Sequence, residues 1–162
     1  MSLKSHLRWQ IEQCHWITMA YVQDLADADL LLRPVPGMNH IAWQLGHLIT
    51  GSKKMLGWLG QPAPALPAGF EESYSKETAN LDNPAMFATK DVYLELAAKI
   101  KAASLAALDA IPESKLDDPG PEQMREYAPT VAAVLTMLGT HWLMHAGQFV
   151  AVRRKLGKAP LF

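Results

Sequence analysis

The sequence contains 162 residues, 49% of them hydrophobic, and its 15 lysines and arginines nearly balance its 16 aspartates and glutamates. This length and composition fit one folded domain, residues 1–162, and exclude a disordered chain. A chain of near-neutral net charge lacks the excess of positive charge that binding to nucleic acid or to an anionic membrane requires. We therefore expect no partner of either kind.

The single cysteine, Cys14, excludes an intrachain disulfide and a cysteine-based zinc site. The first residues carry no apolar signal core, and no apolar run approaches the roughly 20 residues of a membrane span. We therefore expect a soluble protein of the cytoplasm.

Four segments are predicted to be helices, and no segment shows the turn residues between alternating apolar runs that mark a β-hairpin. The first helix is predicted at about residues 3–26, where apolar residues recur every three or four positions. The second is predicted to begin after Asn39, as its N-cap, and to end near Leu59. Three glycines inside this second helix indicate close approach of a neighbouring helix, or a site that needs room at the backbone.

The second half of the chain shows the same alternation of helices and breaks. Prolines and glycines in residues 61–83 predict a long connection without regular structure, apart from a short helical turn that the polar residues 71–80 can hold. A third helix is predicted at about residues 89–111, and a fourth at about residues 130–156 with Gly157 just past its end. The sequence therefore predicts an all-α protein, a four-helix bundle with a long connection between its second and third helices.

Two histidines on the last predicted helix form the first candidate site. His141 and His145 are one helical turn apart, so both rings project from the same side and can hold one divalent metal ion. The alternative is that each is a core histidine whose ring bonds to a carbonyl or hydroxyl. Trp142 stands where the zinc-protease motif His-Glu-x-x-His has its general base, so the pair does not belong to that motif.

A third ligand is predicted from the second helix. His47 lies in the middle of that helix beside a glycine, and three neutral histidines would leave one coordination position open for water or substrate. Zinc is the first expectation; nickel, iron and manganese also accept this ligand type. His40 lies about 10 Å from His47 along the helix axis and cannot share its ion, so we expect it at the helix start or at the mouth of a pocket.

Three further residues are candidates for contact with a substrate, namely His40, Trp43 and Gln148. Gln148 follows His145 by about one turn and would either bond a bound ligand or serve as a polar core residue. Trp43 is one of five tryptophans, which would either line a pocket or fill the core. His15 shares the apolar face of the first helix and is predicted to be a core histidine with a satisfied ring.

Two stretches resemble the DinB-like superfamily of small bacterial four-helix bundles. The first is LRPVPG at residues 32–37 followed by NHIAWQLGHL at residues 39–48; the second is HWLMHAGQ at residues 141–148 followed by VRRKLG at residues 152–157. Their order and spacing extend over nearly the whole chain. The resemblance implies that His47 from the second helix and the pair His141 and His145 from the last helix bind a divalent metal, zinc or nickel.

The same resemblance implies a function. Relatives include transferases that use the thiols mycothiol or bacillithiol, and enzymes similar to maleylpyruvate isomerase; dimers are common among them. We therefore expect a metal-dependent enzyme, first a thiol S-transferase and second a related hydrolase or isomerase, acting as a homodimer on a small molecule with a low-molecular-weight thiol as cofactor. A non-catalytic metal-binding stress protein and a structural dimeric bundle with core histidines remain alternatives. No loop carboxylate matches a general base.

Overall fold

A computed structural model describes residues 2–162 of the chain. It contains four long α-helices, α1 Leu3–Ala20, α3 Ile41–Trp58, α4 Lys90–Ala110 and α5 Val131–Lys155, and one short α-helix, α2 Asp27–Leu30. Five 3-10 helices of three residues each lie in the connections: Glu72–Tyr74, Lys76–Thr78, Pro84–Met86, Glu113–Lys115 and Glu122–Met124. These described residues form no β-strand, only one isolated bridge between Pro119 and Thr130. The predicted all-α class is confirmed. No helix in residues 2–162 is both long and apolar enough to span a bilayer.

The helix directions follow from contacts between the long helices. Gln10 on α1 donates to the carbonyl of Thr136 near the start of α5. The carbonyl of Tyr21, just after α1, accepts from Arg153 near the end of α5. Residue numbers therefore increase in the same direction along both helices, so α1 and α5 run parallel. On α3, Gln44 contacts His145 of α5, and the later residue Ser52 contacts Trp142, which comes earlier on α5. Residue numbers therefore increase in opposite directions, so α3 runs antiparallel to α5.

The core consists of two clusters of buried apolar residues stacked along the bundle. One includes Trp43 of α3 and Tyr93 of α4, and the other includes Leu56 of α3 and Leu108 of α4. From the first cluster to the second, residue numbers increase on both α3 and α4, so these two helices run parallel. The connection between them must therefore return along the length of the bundle, which explains why residues 59–89 are long.

Two predicted helix boundaries were wrong. The first helix ends at Ala20 and not at Ala26. Residues 21–24 form turns, and the amide of Ala26 donates to the carboxylate of Asp29 at 2.8 Å at the start of the separate helix α2. The N-cap of α3 is His40 and not Asn39: the ring Nδ1 of His40 accepts the amide N–H of Trp43 at 3.0 Å. An imidazole nitrogen here replaces the short side-chain oxygen on which the prediction relied.

The long connection is tied to the first half of α3. Tyr74 lies so close to Gly46 that a Cβ atom there would overlap its ring. The indole N–H of Trp43 donates to the carbonyl of Ser75 at 3.1 Å, and Nε2 of His40 lies 3.0 Å from the carbonyl oxygen of Leu81. The connection therefore lies over the helix segment that carries His47. At Gly46 the predicted approach of a neighbouring helix was wrong, because the close neighbour is Tyr74, which ends the short 3-10 helix Glu72–Tyr74 of the connection.

Candidate metal centre

The structure brings the three predicted histidines together. One ring nitrogen from each of His47, His141 and His145 lies within 4.8 Å of the others. The ring centroids are 5.2 Å apart for His47 and His141, 5.4 Å for His47 and His145, and 5.0 Å for His141 and His145. The cluster lies between α3 and α5.

Antiparallel packing of α3 on α5 explains why these residues meet. His141 and His145 project from successive turns of α5 toward α3. On α3, His47 points back at both, and Gly51 one turn later leaves space beside His141, whose Cε1 would be 3.7 Å from an added Cβ. That separation is an ordinary contact, so Gly51 eases the approach of His141 without being essential for it.

Burial keeps the cluster uncharged. It lowers the pKa of His141 to about 4 and the pKa of His145 to about 3, with a smaller contribution from the neighbouring histidines. Burial also lowers the pKa of His47, assisted by the positive charges of Lys54 and Lys76. At neutral pH all three imidazoles are therefore neutral, which is the form that binds metal ions.

The hydrogen bonds of the three rings leave nitrogens available. His145 uses Nδ1 to contact Oε1 of Gln44 at 2.7 Å, so its other nitrogen is unengaged. Nδ1 of His141 is buried and has no hydrogen-bond partner within the described residues. An unpaired buried polar atom costs about 1–3 kcal/mol. A bound metal ion would remove that cost by accepting the lone pair, so the residues present fit the group.

The ligand set also fits zinc or a similar ion. Three nitrogens about 2.1 Å from a tetrahedral zinc ion are separated by about 3.4 Å, and the ring nitrogens of the cluster lie within 4.8 Å of one another. Within residues 2–162 no aspartate, glutamate or cysteine joins the three histidines. A metal held here would have three neutral ligands from the protein and at least one further position for another molecule.

The three residues predicted to contact a substrate differ in their surroundings. Trp43 stacks on His47 with the ring planes 8° apart and the centroids 5.0 Å apart. His40 is fully buried with both ring nitrogens engaged, so contact with a substrate would require one of those bonds to open. Gln148 is half-buried on α5 beyond His145. Contact of these three residues with a substrate stays a prediction.

His15 lies in the core as predicted, but its ring is only partly satisfied, because Nδ1 is buried and has no hydrogen-bond partner within the described residues. Its side chain is buried, Nε2 lies 3.3 Å from the carbonyl oxygen of Leu138, and the ring lies 4.3 Å from that of Trp142. Burial lowers its pKa to about 4, so the ring is neutral at pH 7.

Sequence reasoning missed Gln44, which contacts His145 directly. The spacing of three residues places Gln44 on nearly the same side of α3 as His47, but it does not reveal a contact with His145 on α5. A glutamine beside a buried ligand histidine has no distinctive sequence pattern of its own. Lys54, one turn beyond Gly51, was missed for the same reason.

Comparisons with known proteins bear on the family and on the fold. A family model described as the DinB superfamily matches residues 10–149. No curated protein matches the chain. A crystal structure described as a conserved protein from Enterococcus faecalis has a TM-score of 0.68 to this structure and 19% sequence identity, and the match covers 98% of this chain and 99% of that one. At that identity the likeness concerns the fold alone.

Proposed function

The chain belongs to the DinB superfamily, and from that premise we propose that it binds a divalent metal at His47, His141 and His145 and acts as a thiol-dependent S-transferase on small electrophilic molecules. The observation that carries the proposal is the chemistry of the cluster: three neutral imidazoles, with no carboxylate or thiolate from the described residues among them. Zinc and nickel both suit such ligands.

The charge of this site favours an anionic partner. A divalent ion held by three neutral ligands keeps its full double charge, because no protein ligand offsets it. The exposed side chains of Lys54 and Lys76 add positive charge whose field reaches His47. A thiolate is both negative and a good ligand for zinc, so the environment suits a small thiol better than a neutral molecule.

When bound, the metal ion would lower the pKa of a thiol or water at its open position. The residues of the chain supply the surroundings. Trp43 stacks against His47 and limits rotation of that ring, and residues 59–89 lie over the same part of α3. In the proposed reaction the thiol sulfur forms a bond to an electrophilic carbon, the leaving group departs with the bonding electrons, and the thiol proton passes to water.

An activity assay with matched variants tests the proposal. Protein purified without an affinity tag is loaded with zinc or with nickel and supplied with chlorodinitrobenzene and, in turn, bacillithiol, mycothiol and glutathione. We expect thiol consumption and chloride release above the uncatalysed rate with at least one thiol. His47→Ala should abolish the excess rate, and His6→Ala, which removes an exposed histidine outside the cluster, should leave it unchanged.

Two results would count against this function. Bound metal without thiol turnover across all three thiols would support the non-catalytic metal-binding alternative. Absence of metal after incubation and desalting would overturn the metal site itself and leave the structural bundle. The homodimer expected from the resemblance remains a separate prediction, which light scattering of the purified protein would test.

A further inference from the structure

Gln44 joins two parts of the molecule through one buried amide. Its side chain is fully buried on α3. Oε1 lies 2.7 Å from Nδ1 of His145 on α5, and Nε2 donates to the backbone carbonyl of Asn39 at 2.6 Å. Asn39 directly precedes His40, the N-cap of α3, so the amide connects the start of one helix to a proposed metal ligand on another.

The carbonyl of Asn39 fixes which way the amide points. A backbone carbonyl oxygen only accepts hydrogen bonds, so the NH₂ group of Gln44 must face it. With the amide reversed, two acceptor oxygens would face each other in a buried site, which is unfavourable. Oε1 of Gln44 therefore faces His145, and because Oε1 only accepts, Nδ1 of His145 must carry the hydrogen.

This assignment determines where the lone pair of His145 lies. A neutral imidazole with its hydrogen on Nδ1 has its free lone pair on Nε2. We propose that Gln44 is a positioning residue that holds His145 in this tautomer and so makes Nε2 the metal-binding atom. The metal-related part of this inference rests on the proposed function, whereas the tautomer is a property of the protein alone.

Gln44 has a particular importance because the other two histidines lack a comparable partner. Within residues 2–162 neither the ring of His141 nor the ring of His47 makes a hydrogen bond that would fix its tautomer, and His47 is held by stacking on Trp43. His145 is therefore the ring whose rotation and proton position are fixed before a metal arrives. Histidine ligands of metals commonly donate their second ring N–H to such a partner, and loss of the partner typically weakens metal binding by about 10–100-fold.

Three variants test this role. Gln44→Met removes both hydrogen bonds at similar volume. Gln44→Glu keeps an acceptor oxygen opposite Nδ1 of His145, and its second oxygen, which faces the carbonyl of Asn39, must carry a proton to replace the lost N–H donor. Gln10→Met is the matched control, since Gln10 is a half-buried glutamine that donates to the carbonyl of Thr136 on α5 away from the cluster. Zinc affinity is measured by competition with a chelator, and the ring nitrogens of His145 in the metal-free protein are observed by nitrogen NMR.

We expect the wild type to show the hydrogen of His145 on Nδ1, and Gln44→Met to populate the other tautomer. Zinc affinity should fall about 10–100-fold in Gln44→Met, stay within about twofold of wild type in Gln10→Met, and recover in Gln44→Glu to within about tenfold of wild type. Circular dichroism confirms that each variant is folded. If Gln44→Met does not fold, the wild-type tautomer and the Gln44→Glu affinity decide the matter.

The hydrogen of His145 on Nε2 in the wild type would overturn the inference. So would a folded Gln44→Met protein with the zinc affinity of Gln10→Met. A wild type that binds no zinc but carries the hydrogen on Nδ1 would overturn the proposed function and confine the role of Gln44 to setting the tautomer. The failure of one proposal is therefore distinguishable from the failure of the other.

Discussion

The indole N–H of Trp142 donates to the hydroxyl oxygen of Ser52 at 3.0 Å, and both side chains are fully buried between α5 and α3. Trp142 directly follows His141 in the sequence, and Ser52 lies on α3 just beyond Gly51, which faces that histidine. The bond therefore fixes the position of α5 along α3 at the level where the three histidines approach one another.

Ser52→Ala should test how far the site depends on this bond. Removal of the hydroxyl leaves the indole N–H of Trp142 buried without a partner, which should lower the free energy of unfolding by about 1–3 kcal/mol. Because the bond aligns the two helices that carry the histidines, zinc affinity should fall as well. Urea denaturation and chelator competition on the same preparations measure the two effects.

Ser104→Ala is the control for Ser52→Ala. Ser104 is equally buried, but its hydroxyl donates only to the carbonyl of Ile100 on its own helix, α4, at 2.9 Å. Its removal leaves no donor unpaired, so we expect a loss below about 1 kcal/mol and an unchanged zinc affinity. Equal effects of both substitutions would show that the contact between Trp142 and Ser52 has no special importance.

Gly46→Ala should displace the long connection from α3. The added methyl group would overlap the ring of Tyr74, which is buried and held by hydrogen bonding between its hydroxyl and that of Tyr93, 2.5 Å away. Since the ring cannot rotate aside without breaking that contact, we expect a loss of about 1–3 kcal/mol in the free energy of unfolding. Limited proteolysis should show faster cleavage within residues 59–89.

Gly57→Ala gives the opposite expectation on the same helix. A Cβ atom at Gly57 would meet no other atom within 4 Å, and this glycine lies in helical conformation. Alanine should therefore raise the free energy of unfolding by about 0.5–1 kcal/mol, because it restricts the unfolded chain more than glycine does. A similar loss of stability in both variants would contradict the specific contact of Gly46 with Tyr74.

The bundle and the placement of two histidines on one side of α5 could be predicted from the sequence. Helical periodicity alone places His141 and His145 on one side, and prolines and glycines mark the ends of the helices. The contacts of Gln44 with His145 and of Ser52 with Trp142 were out of reach. They depend on the rotation and axial offset of α3 against α5, which arise from the packing of the whole core and leave no local pattern.

The two wrong boundaries have a similar origin. The amphipathic pattern continues through Val22 and Leu25, which are both buried, although the backbone has already left the helix after Ala20. Periodicity reports which residues face the core and does not report whether the chain between them is helical. His40 was overlooked as an N-cap because histidine is not among the residues that usually cap helices.

Acid should weaken the fold through the ion pair of Asp24 and Arg153. Hydrogen bonding to the buried guanidinium of Arg153, with a further contribution from Lys158, lowers the pKa of Asp24 to about 2. A carboxyl group whose pKa is lower in the folded state stabilises the fold above its unfolded pKa, near 3.8, and loses this contribution as the pH falls toward 2. We therefore expect stability to decline between about pH 4 and pH 2.

Asp24→Asn should flatten that decline, and the wild type and variant should converge at the acid end. The effect is moderate because the side chain of Asp24 is 51% exposed and solvent screens the pair. Asp117→Asn, at an exposed carboxylate outside any ion pair of the described residues, should leave the slope unchanged. Denaturation curves at closely spaced pH values measure how the free energy of unfolding changes with pH. If that slope is the same in Asp24→Asn as in the wild type, the ion pair of Asp24 and Arg153 makes no contribution.

Metal removal should lower the thermal stability of the protein, because His47, His141 and His145 come together as a cluster only in the folded chain. A ligand that binds only the folded state at 100 times its dissociation constant adds about 2.7 kcal/mol. For a chain of this length that corresponds to a Tm increase of roughly 5–10 °C. Added zinc should produce this increase in the wild type and in His6→Ala, and a chelator should reverse it.

His47→Ala should respond little, since two histidines hold the ion far less tightly than three. An equal increase in His47→Ala would mean that zinc binds elsewhere on the protein, and no increase in the wild type would mean that the three histidines form no metal site.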